Sequence, residues 1–195
     1  NNTFGNVNTN TFSGYVYNNT FGEVSNNTFS GYVNSNTFSG YVNSNTFSGG
    51  VYRNTFSGEV SNNTFSSYVI VNTFSGNVIV NTFSGIVGIN TFSGNVTNNT
   101  FGYVNINTFS GDVTNNTFSG SVGINTFSGY VNSNTFSGDV HNNTFTYAGY
   151  LRYVTIADDL QNKTINVVTY PFLFNTDYKK EILQASNGSN YIRYF

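Results

Sequence analysis

Charge is what this sequence has least of. Only 7% of its residues are Asp, Glu, Lys or Arg, against roughly a quarter in an average soluble domain. The net charge is −2. No basic footprint is available for a phosphate backbone or an anionic lipid surface, so nucleic acid is not an expected partner. Cysteine is absent, which excludes disulfides and thiolate metal sites. It does not name a compartment, although many surface and secreted proteins manage without cysteine. No apolar run approaches the ~20 residues of a membrane helix, so no membrane span is expected. Proline occurs once, at Pro171. With regular Phe and Val throughout, that argues against a Pro-rich disordered linker. Residue 1 is Asn, and no leader precedes the repeats. A processed, mature or partial chain would look this way.

What is present is a repeat. Asn-Thr-Phe-Ser-Gly-x-Val-x-x, nine residues long, runs through sixteen units from Asn2 to Asn142, and a seventeenth begins at Asn143. Self-similarity at a fixed period decides the fold before any local reading. Alternate side chains of a strand share a face. Phe, Gly and Val should therefore form an apolar inner face, and Thr and Ser a hydroxyl-rich outer one. Asn, Thr, Ser and Gly are poor helix formers, and a nine-residue period does not hold a helical stripe. The residues after Val, as in Ser61-Asn62-Asn63, should make a corner, because Asn tolerates left-handed backbone. One such unit cannot bury its Phe alone, whereas stacked units can. The expected fold is an all-β β-solenoid.

The variable positions bear on how many units complete a coil. The residue before Val in alternate units includes Tyr15, Tyr32, Tyr68 and Tyr103, while the intervening units are mainly polar there. The residue before the next Asn gives Val71, Ile89, Ile106 and Ile124 in the same alternate units. Two classes imply two units and about 18 residues per coil, with three units per coil as the rival. Eight coils would span roughly 38 Å. Gly is expected to make room for a Phe from the opposite face, and the repeat Phe residues to stack in columns. Three units, beginning at Asn2, Asn19 and Asn99, lack the Ser. A bend or bulge at the Ser–Gly step would absorb either length.

After Phe145 the pattern ends. Residues 146–195 hold five of the six Lys and Arg residues and the only Pro and Leu residues. They read as a small mixed cap or docking segment, apart from the solenoid of 1–145. Strands are expected over Tyr150 to Ile156, Thr164 to Phe174 and Tyr191 to Phe195, with a short helix over Asp177 to Ala185. Solenoid ends need covering, because a coil edge carries unpaired backbone groups. The N-terminal coil has no comparable cap, so head-to-tail stacking of copies is the expected mode of association.

Candidates for chemistry are few. His141 is the only His and sits at a corner, which is the place of a solvated residue. Asp158-Asp159 and Lys179-Lys180-Glu181 read as loop and exposed-face residues. No Ser-His-Asp order, metal-spaced His pair or phosphate-cradling Gly loop occurs. No enzyme activity, cofactor or metal is expected. Seven Asn-Asn-Thr sequons, beginning at Asn1, Asn18, Asn26, Asn62, Asn98, Asn115 and Asn142, and two more at Asn162 and Asn187, matter only in a secretory eukaryote.

Two resemblances follow from these residues. The nine-residue period is similar to that of the calcium-binding β-roll, Gly-Gly-x-Gly-x-Asp-x-U-x. This unit has no fixed Asp, so the resemblance implies the geometry without calcium. The outward Thr-x-Ser pairs resemble the Thr-x-Thr arrays of β-solenoid antifreeze proteins, with Ser in place of the second Thr. That resemblance implies ice as a candidate ligand. The pairs are Thr11 and Ser13, Thr28 and Ser30, Thr37 and Ser39, Thr46 and Ser48, Thr55 and Ser57, Thr73 and Ser75, Thr82 and Ser84, Thr91 and Ser93, Thr108 and Ser110, Thr117 and Ser119, Thr126 and Ser128, and Thr135 and Ser137. The leading expectation is a non-catalytic structural protein of the cell surface or extracellular space that assembles with itself into fibres. Ice binding is the first alternative. An adhesin or glycan-binding stalk using an aromatic stripe of Tyr15, Tyr32, Tyr68 and Tyr103 is the second.

Overall fold

The computed structural model describes residues 1–145 and, beyond them, the strand segments Leu151–Arg152, Thr155–Ile156, Asn166–Val167, Lys180–Gln184 and Asn190–Tyr194. The repeat folds as a parallel β-solenoid with two units per coil. Thr37 pairs with Thr20 and Thr55, one to each side, and Val42 pairs with Val24 and Val60. Four parallel ladders result: Thr-Phe pairs of odd units, Thr-Phe pairs of even units, and the two matching sets of Val-x pairs. Thr-Phe strands donate backbone hydrogen bonds back to the preceding coil, as from the Thr55 N–H to Asn36 O at 2.9 Å. Val strands donate onward, as from the Val42 N–H to Glu59 O at 2.9 Å. Each coil is thus tied in both directions.

Among the described residues the core is one cluster of Phe and Val that runs through the repeat. The Phe of each unit from Phe21 to Phe118 and the first Val of each unit from Val24 to Val122 are fully buried in unbroken series. Phe rings stack coil on coil with centroids 4.7–4.8 Å apart and planes 2–5° apart through the middle of the chain. Sheets ordinarily twist by roughly 20–25° per strand, so this stack is nearly untwisted and its outer faces are flat. Where the two Phe columns meet they do so edge to face, as between Phe38 and Phe47 at 6.4 Å and 88°. Both arrangements suit the ring quadrupole.

The repeat Asn does not turn the corner. The left-handed residue is the one before it, at sixteen positions from Thr9 to Asn142. Six of these are themselves Asn, as the expected corner chemistry requires, but Val71, Val80, Ile89, Ile106 and Ile124 also hold φ of 56–60°. A side chain there costs on the order of 1–3 kcal/mol. The repeat Asn that follows is buried and builds a ladder through the stack. The Asn45 backbone N–H and Nδ2 donate to Asn63 Oδ1 at 2.8 and 3.0 Å, and Asn45 Nδ2 also donates to Val24 O at 2.9 Å. One side chain therefore satisfies corner backbone groups of two coils, which would otherwise be buried unpaired.

Glycine serves a purpose other than the expected one. A Cβ on Gly94 would lie 2.5 Å from Gly76 O and 2.6 Å from its carbonyl carbon. The obstacle is backbone of the neighbouring coil and not a facing Phe. Gly94→Ala is expected to cost about 1–3 kcal/mol by overpacking, measured as a fall in thermal stability. Ser67 occupies this position in one coil, and nothing in the structure explains why it is accepted there. The unit without Ser is absorbed as expected: register shifts between Phe83 and Ile86 opposite Phe101 and Tyr103, a bulge at the Ser–Gly step.

The ladders run past the last repeat. Leu151–Arg152 pairs with Val131–Asn132, and Thr155–Ile156 pairs with Thr135–Phe136. Strands fall within the expected spans at Leu151–Arg152, Thr155–Ile156 and Asn166–Val167, and Asn190–Tyr194 overlaps the last expected one. The expected helix is corrected. Lys180–Gln184 is a strand, antiparallel to Asn190–Tyr194 with Ile182 opposite Ile192. The five residues between the strands contain Asn187-Gly188, a hairpin signal stronger than the weak amphipathic pattern of Lys179 to Ala185. The remainder of 146–195, including Asp158-Asp159, lies outside the described residues.

Candidate functional surfaces

Side chains that leave the core do so in columns, because every coil repeats the backbone of the last. Two columns carry threonine. Thr37, Thr55, Thr73, Thr91, Thr108 and Thr126 lie on the odd face, and Thr28, Thr46, Thr82, Thr117 and Thr135 on the even one. All are exposed or half-exposed, with the inward Phe buried beside them. Ser follows at the strand end and also faces out, though Ser39 and Ser119 Oγ donate back to Phe21 O at 2.9 Å and Phe101 O at 3.0 Å. The array extends beyond the residues with a full motif. Thr20, Thr64 and Thr100 occupy the same ladders, a continuity already implied by the invariant Thr-Phe pair.

The tyrosine stripe is partly brought together. Tyr15 and Tyr32 stack at 5.2 Å, and Tyr32 meets Tyr68 at 6.1 Å. Tyr68 reaches Tyr32 because the intervening coil carries Gly50, whose missing side chain leaves space that the Tyr68 ring occupies. Burial raises the Tyr68 phenol above its ordinary 10.0, and the neighbouring Tyr32 raises it further. Tyr103 stands apart, beyond Ile86 in the same column. Tyr15, Tyr32 and Tyr103 keep 77%, 43% and 44% of their surface exposed. Arg53 lies 4.8 Å over the Tyr52 ring.

The corresponding odd column is polar. The Asn95 N–H donates to Asn77 Oδ1 at 3.0 Å, the Asp112 N–H to Asn95 Oδ1 at 2.9 Å and the Tyr130 N–H to Asp112 Oδ1 at 3.0 Å. These side chains hold the bend from coil to coil. Beside them a shallow open trough is lined by Tyr41, Glu59 and Asn77 over Gly40, Gly58 and Gly76. His141 leans over Gly123. Among the described residues no three His, Cys, Asp or Glu side chains converge, and no helix is long and apolar enough to cross a membrane.

The two corner ridges differ in chemistry. The odd ridge is mostly amide and hydroxyl, with Asn26, Asn62, Asn98 and Asn115 exposed. The even ridge becomes aliphatic for four consecutive coils at Val71, Ile89, Ile106 and Ile124. Among the described residues, columns of this kind are what the surface offers to a partner. No protein family, curated protein or solved structure matches this chain.

Proposed function

We propose that this chain is a non-catalytic structural protein of a cell-surface or extracellular assembly, a stiff solenoid that associates coil on coil. The observation that carries the reading is the sameness of the coil interfaces within the repeat. Each joins the next through two Phe stacks, two Asn links and the same backbone bonds. The outer side of the first described coil has that make too: Phe4 and Phe12 are half-buried, and open space lies over Gly5 and Gly14. Any coil of the same kind, from more of this chain or from a second copy, fits that surface. Negative-stain microscopy of purified protein is the test. Filaments one solenoid wide are expected, and short monodisperse particles at high concentration would count against coil stacking.

A second reading, ice binding, is favoured by the flatness of the threonine faces. Ring planes that turn by only 2–5° per coil hold the Thr hydroxyls on a planar grid, with roughly 6.6 Å from Thr to Ser along the strand. The expected result is thermal hysteresis that is lost in Thr91→Tyr with Thr108→Tyr while the melting temperature is kept. Absence of hysteresis in the native chain sinks this reading and leaves the first untouched.

A further inference from the structure

We propose that two copies of this chain pair antiparallel through the aliphatic corner ridge of Val71, Ile89, Ile106 and Ile124. These four side chains are 37%, 54%, 48% and 52% exposed, and each holds a φ of 57–60°. β-Branched residues avoid that backbone region, and water does not favour them on a ridge. Asn, Ser, Thr and Arg fill nearly all the other corners. Strain joined to exposed apolar surface in four consecutive coils points to contact with something else.

A second copy is the partner that fits. Its ridge has the same coil spacing of 4.7–4.8 Å, set by the Phe stacks beneath. The side chains of one copy therefore come level with those of the other along the whole ridge. Charge selects the direction. The ridge is bracketed by Arg53 one coil before Val71 and by Asn142 one coil after Ile124, with exposed Asp139 on the latter coil. A parallel pairing would place Arg53 against Arg53. An antiparallel pairing, with Val71 opposite Ile124 and Ile89 opposite Ile106, brings Arg53 to the coil bearing Asp139. The twofold keeps the flank carrying Tyr52, over which Arg53 lies, on the same side as the partner's Asp139. No other charge lies between them on this ridge, since Glu23, Glu59 and Asp112 occupy the odd bends. The contact is short, so pairing is expected to be weak and concentration-dependent.

The proposal rests on the reading of the chain as a self-associating structural protein, yet fails separately from it. Sedimentation of the full chain over a concentration series should show monomer passing to dimer. Ile89→Asn with Ile106→Asn installs at the twofold centre the residue that the opposite ridge already carries at Asn62, Asn98 and Asn115. The fold is kept and left-handed strain relieved. The dimer dissociation constant should rise at least about tenfold, while the melting temperature rises by roughly 4 °C. A ridge that mattered only to the monomer would move the second quantity and not the first. Arg53→Glu should weaken pairing, and Arg53→Glu with Asp139→Arg should restore it. A native chain that stays monomeric throughout, or an asparagine pair that dimerises as the native chain does, overturns the proposal. Failure of the charge exchange to restore pairing overturns the antiparallel arrangement. Filaments without this dimer would sink the ridge alone, and the dimer without filaments would sink coil stacking alone.

Discussion

Phe65→Ala should lower stability by about 3–5 kcal/mol, on the order of 10 °C in melting temperature. Phe65 is fully buried and stacks on Phe47 and Phe83, both at 4.7 Å and with planes within 3°. Removing the ring deletes apolar burial and leaves a gap between two rings that the backbone ladders hold apart. Thr64 and Phe65 remain paired to Thr46 and Phe47 and to Thr82 and Phe83 whatever the side chain. The coils cannot close over the gap, so the cost falls in the upper part of the usual range. A solenoid couples only nearest neighbours. The lesion should therefore split unfolding into two transitions, one for the coils on each side. Calorimetry reads both effects. A single transition within 2 °C of the native one would show that the Phe column is not the source of stability. Thr73→Ala, at an exposed site beside buried Phe74, should stay within about 0.5 kcal/mol.

Asn63→Asp should cost about 3–5 kcal/mol at neutral pH for a change of one atom. Asn63 is 1% exposed. Its Nδ2 donates to Val42 O and Ser61 O, both at 2.8 Å, and its Oδ1 accepts from the Asn45 N–H at 2.8 Å. A carboxylate at this position keeps the acceptor role and loses these donations, along with the one to Asn81 Oδ1 at 3.0 Å. It then faces two carbonyl oxygens with no cation beside it. Burial and those oxygens favour the protonated acid, so its folded pKa lies above the unfolded value of about 3.9. The sign follows from that ordering: the variant is most stable below about pH 4 and loses stability as pH rises through the folded pKa. Denaturation from pH 3 to 8 should show the penalty growing with pH. A variant whose deficit is flat over that range would refute the ladder as the origin of the cost. Asn63→Leu, which cannot gain charge, should be destabilised without this pH dependence.

Much of the fold was legible in the residues. The nine-residue period, the inward Phe and Val, the outward Thr and Ser, and the alternation that sets two units per coil all follow from strand geometry applied to a repeat. The bulge that absorbs the missing Ser was legible too, because only a bend accepts either length. The Asn ladder was missed although its signal was present. The repeat Asn never varies over seventeen copies, while the corner residue ahead of it changes freely. Invariance beside tolerance marks a buried group with several bonds to make. The hairpin of Lys180–Gln184 and Asn190–Tyr194 was not legible for a different reason: its turn signal lies outside the repeat, beside a segment with a weak helical pattern.

The candidate surfaces divide in the same way. Which side chains leave the core is settled by alternation along the chain, so the threonine columns were available from the start. Which of them lie together is a property of the stack. Tyr68 touches Tyr32 because Gly50 intervenes between them in space. Glycine follows Ser because the preceding coil's carbonyl approaches within contact distance, a distance no single strand reveals.

That this chain coils, and with what period, follows from its residues alone, because a short strand with one Phe can bury it only against copies of itself. Tertiary structure alone decided the backbone of the corners. Ile89 holds a left-handed conformation that its side chain opposes, because its N–H must reach Asn105 O at 3.2 Å in the next coil and the ladders on both sides leave no other path. The same stacking set four such residues in a row and made them a surface.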